Sequence, residues 1–254
     1  MTTTAPETLW GEGEYELAEE AFAPIYDQLV RRLAPAPGER LLDVATGTGA
    51  IAVRAARAGA RVDAIDIAPG MIAKARRHPE PVDWTIADCQ ALPFPDQAFD
   101  VVASCFGVIF ATDPERGAAE LQRVCRDRLA VTAWERHESA AIWERYDEQP
   151  PVTSPWSSPT GIKALLESFD VTVERHTWWL EASSGAALFG WTVRAFPPRR
   201  ACYQELTATE ARALRDELVE LYERHRRHDR VRYPQTYLLA IGARRRPSTE
   251  TPAA

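Results

Sequence analysis

The sequence predicts an α/β protein built on a doubly wound, mostly parallel β-sheet, and three observations carry this prediction. A strand, a glycine turn, a helix and a second strand follow one another over residues 41–66, which is the repeating unit of such sheets. Acidic residues stand in or just after three successive predicted strands. The chain of 254 residues is long enough for one domain of this kind with an insertion.

The composition is that of an ordinary globular protein, with 45% hydrophobic and 26% charged residues. A net charge of −7 disfavours nucleic acid as a partner, because that binding depends on Lys and Arg neutralising phosphates. No apolar run approaches the roughly 20 residues of a membrane helix, and the N-terminus lacks a secretory signal. The histidines and cysteines are too scattered for a metal site. We expect a cytoplasmic monomer or homodimer with no membrane partner.

An amphipathic helix precedes the first predicted strand. Apolar residues recur at spacings of three to five between residues 14 and 33, and Pro24 predicts a break in this helix. A turn at 34–40 then leads into strand one, predicted at 41–45.

The glycine turn lies between strand one and a helix that ends at Gly59, a favoured C-cap residue. Gly47 and Gly49 have no Cβ, so a ligand can approach their backbone, and both tolerate positive φ. Free N–H groups at the start of the next helix can donate to that ligand. The turn therefore predicts a nucleotide-like ligand at the carboxyl ends of the strands.

Three acids accompany the first three strands. Asp43 lies within strand one, Asp66 ends strand two at 62–65, and Asp88 follows strand three at 83–87. A carboxylate at Asp43 would repel a pyrophosphate, whereas it suits a ligand that carries an ammonium group. The series favours a cationic nucleoside over a dinucleotide, although the spacing G-x-G-x-x-A also fits the dinucleotide fingerprint.

The stretch D-V-A-T-G-T-G followed by Asp66 resembles the class I S-adenosylmethionine-dependent methyltransferases, and within them the small-molecule branch that includes the ubiquinone and menaquinone methyltransferases. The segment L-P-F-x-D-x-x-F-D before strand four, at 99–104, strengthens the resemblance. Ala45 replaces the first glycine of the usual motif. The resemblance implies a Rossmann-like fold with a seven-stranded sheet, an antiparallel last strand and S-adenosylmethionine as the cofactor.

The same resemblance implies a role for each strand end. Asp66 would accept from the ribose hydroxyls, Asp88 from the adenine amine, and Ile67 and Met71 would bracket the adenine ring. In relatives, an N-terminal segment closes over the cofactor, where Trp10 and Tyr15 would line its methionine end. The candidate cofactor-binding residues are Tyr15, Asp43, Ala45, Thr46, Gly47, Gly49, Asp66, Ile67, Met71, Asp88, Cys89, Cys105 and Phe106.

The second half of the chain completes the predicted sheet. Strand five, at 128–134, follows a helix at 113–125 without the Pro-Gly-Gly turn that is usual in the family. Strand six is predicted at 171–182 and the last strand at 235–245. The roughly 50 residues between them are too long for a hairpin connection and must fold as helices. The expected units are an N-terminal helical segment at 1–34, a cofactor-binding core at 35–182 and 233–246, and a helical cap over the substrate site at 183–232.

Methyl transfer requires alignment of the acceptor and exclusion of water, and it requires a base only where the acceptor must lose a proton. His137, just after strand five, is the candidate base. Ser104-Cys105-Phe106-Gly107 replaces the Asn/Asp-Pro-Pro-aromatic motif of adenine N-methyltransferases, which disfavours a base-modifying activity. Several tryptophans after strand five would form either the core of the helical cap, which is the more common role of such residues, or a planar apolar pocket for an aromatic or polyketide-like substrate.

The sequence thus predicts methyl transfer to an oxygen or carbon of a small molecule, in secondary metabolism. Three alternatives stay open. The same fold can use the bound cofactor for a non-methylating step such as cyclisation or decarboxylation. A nicotinamide-dependent reductase would fit the bare glycine spacing, and a non-catalytic binding protein would retain the same residues without turnover.

Overall fold

Helices and strands alternate through the first half of the chain, as the sequence predicts. The computed structural model describes residues 6–11, 14–146 and 154–245. The helices are α1 (Pro6–Leu9), α2 (Tyr15–Leu33), α3 (Ala50–Arg57), α4 (Pro69–Ala75), α5 (Pro114–Val124), α6 (Glu138–Trp143), α7 (Pro159–Leu165), α8 (Gly185–Ala195), α9 (Pro197–Glu205) and α10 (Ala208–Glu223). The strands are β1 (Arg40–Val44), β2 (Arg61–Asp66), β3 (Val82–Ile86), β4 (Phe99–Cys105), β5 (Cys125–Trp134), β6 (Phe169–Ala182), β7 (Arg226–Arg227) and β8 (Arg230–Arg244).

The strands form one sheet in the order β3-β2-β1-β4-β5-β8-β6. Strands β1 to β5 pair in parallel, and β8 runs antiparallel between β5 and β6. This arrangement confirms the predicted doubly wound sheet with an antiparallel last strand. The short strand β7 pairs only with the start of β8 and was not predicted, because two consecutive arginines carry no strand periodicity.

Helices cover both faces of the sheet. On one face α2 and α3 pack together with α6, α8 and α10 in a single hydrophobic core, and on the other face α5 and α7 form a second core. The apolar positions of each helix recur every three or four residues, so each helix buries one side against the sheet. This packing fixes the carboxyl ends of β1 to β5 as a rigid edge on which a site can be built.

The predicted break at Pro24 is wrong, because α2 is continuous from Tyr15 to Leu33 with the proline inside it. A proline removes one intrahelical hydrogen bond and crowds the carbonyl four residues earlier. Pro24 is exposed, so water can satisfy the freed carbonyl of Glu20. Buried Phe22 and Ile25 on the opposite side of the helix keep it packed on the sheet.

The chain between β6 and the last strand folds as α8, α9 and α10, as its length predicts. A capping box begins α10, in which the Thr207 hydroxyl and the Glu210 carboxylate each bond the other residue's backbone N–H. The division into three units stays a prediction, and its residues 1–5, 12–13, 147–153 and 246 lie outside the described residues. Among the described helices, none combines the length and apolarity needed to cross a membrane.

Candidate active site

A cavity of about 100 Å³ lies at the carboxyl ends of the parallel strands. Its walls come from the ends of β1 to β4, the turn after β4, the start of α2 and Trp10. Ten of the thirteen predicted cofactor-binding residues line it: Tyr15, Ala45, Gly47, Asp66, Ile67, Met71, Asp88, Cys89, Cys105 and Phe106. The structure therefore brings together residues that are up to 91 positions apart in the sequence, from Tyr15 to Phe106.

A second, smaller cavity of about 20 Å³ adjoins the first beside the glycine turn. Asp43 and Thr46, two further predicted residues, line this cavity. Both cavities share the side chains or backbone of Tyr15, Ala45, Gly47 and Cys105. The two spaces are thus neighbours, and together their walls extend from the end of β3 to the start of α3.

Asp66 is held firmly at the wall of the larger cavity. Its Oδ2 accepts a hydrogen bond from the Gly47 N–H at 2.8 Å, and its Oδ1 accepts one from the Ala68 N–H at 2.9 Å. Burial raises the pKa of this carboxyl, and the backbone N–H donors act in the opposite direction. The carboxylate therefore connects the end of β2 to the glycine turn and presents acceptor oxygens to a ligand in the cavity.

Asp43 is 1% exposed and faces the smaller cavity. Its Oδ2 accepts hydrogen bonds from the Thr46 hydroxyl at 2.6 Å and from the Ala52 N–H at 3.0 Å. Burial raises its pKa to about 7, and the neighbouring carboxylate of Asp66 adds to this increase. A buried acid of this kind is stabilised in its charged form by a cationic ligand group placed beside it.

Asp88 lines the larger cavity just after the end of β3. Its Oδ1 accepts from the Gln90 N–H at 2.8 Å, and the Gln90 side chain accepts from the Thr112 hydroxyl and the Asp113 N–H. Gln90 thus connects the end of β3 to the loop after β4. Gln90 and Thr112 line the larger cavity, yet sequence reasoning missed both, because the contact that joins them exists only once the two loops meet.

Three aromatic rings define the mouth of the larger cavity. Trp10 lies 4.8 Å from the Phe110 ring and 6.2 Å from the Tyr15 ring, measured between ring centroids. Phe110 is 51% exposed although it is a large apolar side chain. Phe110 was missed because it follows β4 in a short 3₁₀ turn, where no periodic pattern indicates the direction of a side chain.

Gly49 lines neither cavity among the described residues, but its conformation is essential to the turn. Its φ is +96°, and a Cβ at this position would lie 2.6 Å from the Trp84 ring. Only glycine fits this combination of positive φ and close packing. Gly49 therefore shapes the turn, whereas contact with a ligand at this residue stays a prediction.

His137 also lies outside the residues that line the two cavities. Its Nδ1 accepts from the Ala140 N–H at 3.2 Å and lies 2.8 Å from the Ser139 hydroxyl, so it caps the start of α6. Burial and the nearby Arg199 guanidinium lower its pKa to about 3. A histidine with so low a pKa is a weak base, and its role as a catalytic base stays a prediction.

Helix α2 is fastened to the glycine turn. The Thr48 hydroxyl donates to the Glu19 carboxylate at 2.5 Å. The Tyr15 ring lies against Gly47, where a Cβ would be 3.6 Å from the ring. Burial raises the pKa of the Tyr15 hydroxyl, which therefore stays protonated at neutral pH. The N-terminal helix thus closes one side of the site directly above the turn.

Comparison with known proteins agrees with this architecture. A family model described as a methyltransferase domain matches residues 42–128. An uncharacterized protein of Mycobacterium tuberculosis strain H37Rv is 41% identical over 133 residues, which are 50% of this chain and 48% of that protein. The chain therefore spans about half the length of the first curated relatives that it matches.

A demethylmenaquinone methyltransferase of Clavibacter sepedonicus is 31% identical over 171 residues, which are 62% of this chain and 70% of that enzyme. The crystal structure of the YcgJ protein from Bacillus subtilis superposes with a TM-score of 0.62 at 15% identity, covering 87% of this chain and 98% of that one. The likeness to the YcgJ structure supports the fold alone. The likeness to the demethylmenaquinone methyltransferase supports the family and disfavours a nicotinamide-dependent reductase. The chain belongs to the class I S-adenosylmethionine-dependent methyltransferases, whose cofactor is S-adenosylmethionine, and it resembles the quinone methyltransferases among them.

Proposed function

We propose that the protein transfers a methyl group from S-adenosylmethionine to an oxygen or carbon of a small molecule. The observation that carries this proposal is the composition of the walls of the two neighbouring cavities. Carboxylates from the first three strands face them, while Lys and Arg are absent from their described lining. Such a lining attracts a cationic nucleoside and repels a pyrophosphate.

The residues present fit the cofactor along its whole length. Asp66 would accept from the ribose hydroxyls, and Asp88, with the adjacent Cys89, would border the adenine. Ile67 and Met71 supply apolar surface on this side of the cavity. Asp43 would balance the positive charge of the methionine end, which explains why a buried acid stands beside the smaller cavity.

When bound, S-adenosylmethionine supplies a methyl group that its positive sulfonium has already activated. The protein's own contribution is to orient the acceptor and to exclude water. Trp10, Tyr15, Phe106 and Phe110 enclose the cavity with apolar surface. Burial raises the pKa of Cys105 to about 12, so this thiol stays protonated and does not act as a nucleophile at neutral pH.

The acceptor is proposed to be an aromatic or polyketide-like secondary metabolite. Support comes from the aromatic rings at the mouth, of which Phe110 offers an exposed face. Deeper in the molecule, Phe106 stacks on Trp134 with ring centroids 4.1 Å apart and planes at 4°. Trp134 and Trp178 pack against Phe22, so these two tryptophans serve the core, and the rings at the mouth are the better candidates to contact the acceptor.

Calorimetry with S-adenosylmethionine tests the cofactor, and D66N is the matched variant. We expect binding by the intact chain and a loss of at least about tenfold in D66N, because the ribose loses a charged acceptor and because the N–H of Gly47 or Ala68 also loses its acceptor. No binding at millimolar cofactor would contradict the proposal. D170N, which changes an exposed carboxyl on β6, controls for the change in net charge.

Product analysis separates methyl transfer from the other chemistries open to this fold. The chain is incubated with S-adenosylmethionine and a mixture of aromatic and polyketide metabolites, and S-adenosylhomocysteine and products are followed by mass spectrometry. Transfer gives S-adenosylhomocysteine together with a product heavier by one methylene group. If a metabolite is converted but no S-adenosylhomocysteine is formed, the result would instead support a non-methylating step such as cyclisation or decarboxylation.

A further inference from the structure

Two non-glycine residues at the ends of neighbouring strands have left-handed backbone conformations. Ala45, after β1, has a φ of 55°, and Phe106, after β4, has a φ of 56°. Side chains other than glycine rarely adopt this conformation, which persists only where surrounding contacts hold it. The two turns also touch, since a Cβ on Gly107 would lie 2.3 Å from the Ala45 Cβ.

A buried hydroxyl holds each of these turns. The Thr132 hydroxyl on β5 accepts from the Phe106 N–H at 3.0 Å and lies 3.2 Å from the Cys105 sulfur, to which it donates. Thr132 is 0% exposed, so no water competes for these bonds. Its hydroxyl is therefore the contact that fixes the backbone of the left-handed Phe106.

Ser104 performs the corresponding task on the other side of β4. Its hydroxyl donates to the Val44 carbonyl at 2.9 Å and accepts from the Val108 N–H at 3.0 Å. Ser104 is also 0% exposed. Since Val44 directly precedes Ala45, this bond fixes the peptide that enters the first left-handed turn.

The residues held in this way line the candidate site, whereas the two hydroxyls do not. Ala45 and Cys105 line both cavities, and Phe106 lines the larger one. Ser104 and Thr132 are absent from the described lining of either cavity. A change in their bonding would therefore alter the shape of the site without removing any group that contacts a ligand.

We infer that Thr132 and Ser104 are positioning residues, which hold the ends of β1 and β4 in the left-handed geometry that fits the methionine end of the cofactor. This inference rests on the proposed function. The adenosine end is bordered by Asp66 and Asp88, which belong to β2 and the end of β3 and which neither hydroxyl contacts. Asp66 is linked to the turn after β1 by the bond that it accepts from the Gly47 N–H. The two ends of the cofactor should therefore respond differently when either hydroxyl is removed.

The test compares binding of S-adenosylmethionine and of adenosine to the full chain by calorimetry. T132V keeps the shape of the side chain and removes its oxygen. We expect the Kd for S-adenosylmethionine to increase about tenfold while the Kd for adenosine changes less than about twofold. T132S restores the hydroxyl and should restore the affinity. S104A tests the second hydroxyl in the same way and keeps the inference testable if T132V does not fold.

T192V is the matched control, because Thr192 is 7% exposed and its hydroxyl donates to the Leu188 carbonyl within α8. This variant should lose stability without any selective loss of S-adenosylmethionine affinity. The inference is overturned if T132V and S104A bind S-adenosylmethionine as the wild type does, or if both ligands weaken equally. If the wild type binds no S-adenosylmethionine at all, both the proposed function and this inference fail. That result is distinguishable from the two above, in which the wild type binds the cofactor.

Discussion

At the scale of single residues, the strand-end acids are the positions that sequence reasoning locates best. Each follows an apolar run that ends at the same edge of a parallel sheet, so Asp43, Asp66 and Asp88 had to converge once the sheet formed. The polar residues that connect these acids to other loops could not be located in this way. The bonds made by Gln90 and Thr112 depend on how two loops meet, and no spacing in the sequence encodes such a contact.

The raised pKa of Asp43 gives the stability of the free protein a defined pH dependence. Burial raises this pKa to about 7, whereas an aspartate in an unfolded chain has a pKa of about 3.9. Between these values the native state binds a proton that the unfolded state has released. The contribution of Asp43 to the free energy of unfolding therefore decreases as pH rises from about 4 to about 7.

D43N should remove this contribution. Both hydrogen bonds end on the same carboxylate oxygen, so an amide oxygen can accept them. We expect D43N to gain stability relative to the wild type as pH rises from about 4 to about 7, by on the order of 1–3 kcal/mol, and to bind S-adenosylmethionine more weakly. Tm measured for both proteins across this range checks the prediction, since titrating groups that do not interact with Asp43 cancel in the difference, while Asp66 does interact with it.

D170N removes one exposed carboxylate, which pairs with Arg245, and serves as the control for the change in net charge. A pH-independent difference between D43N and the wild type would show that Asp43 does not titrate in this range.

His137 can be tested separately as a helix cap and as a base. H137A removes the acceptor at the start of α6 and should lower the free energy of unfolding by about 1 kcal/mol. H137N keeps a capping acceptor and should restore most of that loss, which thermal denaturation measures. The rate of methyl transfer in H137N then tests His137 as a base, because loss of a general base would reduce this rate by about 10²-fold or more.

At the scale of elements, the sequence placed most strands and helices within a few residues, since hydrophobic periodicity reports which side of an element is buried. It failed where tertiary contacts override local preference. Helix α2 runs through Pro24 because its opposite side is packed on the sheet. Strand β7 pairs with the start of β8, where β8 extends beyond the end of β5 while it still pairs with β6.

The continuous α2 predicts that Pro24 destabilises the protein. P24A restores an intrahelical N–H and removes the clash with the carbonyl of Glu20, at a position where the side chain is exposed. We expect the free energy of unfolding to increase by about 1–2 kcal/mol, measured by urea denaturation. P114A is the matched control, because Pro114 occupies the first turn of α5, where proline is favoured and no gain is expected. Equal effects of the two variants would contradict this account.

At the scale of the whole molecule, the antiparallel last strand was predicted from the family resemblance rather than from periodicity. An apolar run does not reveal its neighbours in a sheet, and a helical cap is indicated only by the length of its segment. The sheet confirms that resemblance. Closure of the N-terminal segment over the cofactor stays a prediction.

That prediction concerns the closure of the site by residues before α2. Trp10 lines the larger cavity and contacts both Tyr15 and Phe110. Gly11 approaches α4 closely enough that a Cβ on Gly70 would lie 3.0 Å from its Cα. The segment thus contacts α2, α4 and the turn after β4, and an ion pair between Glu16 and Lys74 also joins α2 directly to α4.

Deletion of residues 1–13 should therefore leave the fold intact and weaken cofactor binding. Since α2 begins at Tyr15 and keeps its own packing, we expect Tm without ligand to change little, whereas the Kd for S-adenosylmethionine increases about tenfold. W10A in the full chain should reproduce much of this loss, because the indole supplies the apolar wall. Undiminished affinity in the truncated chain would mean that the sheet edge and α2 bind the cofactor without closure by this segment.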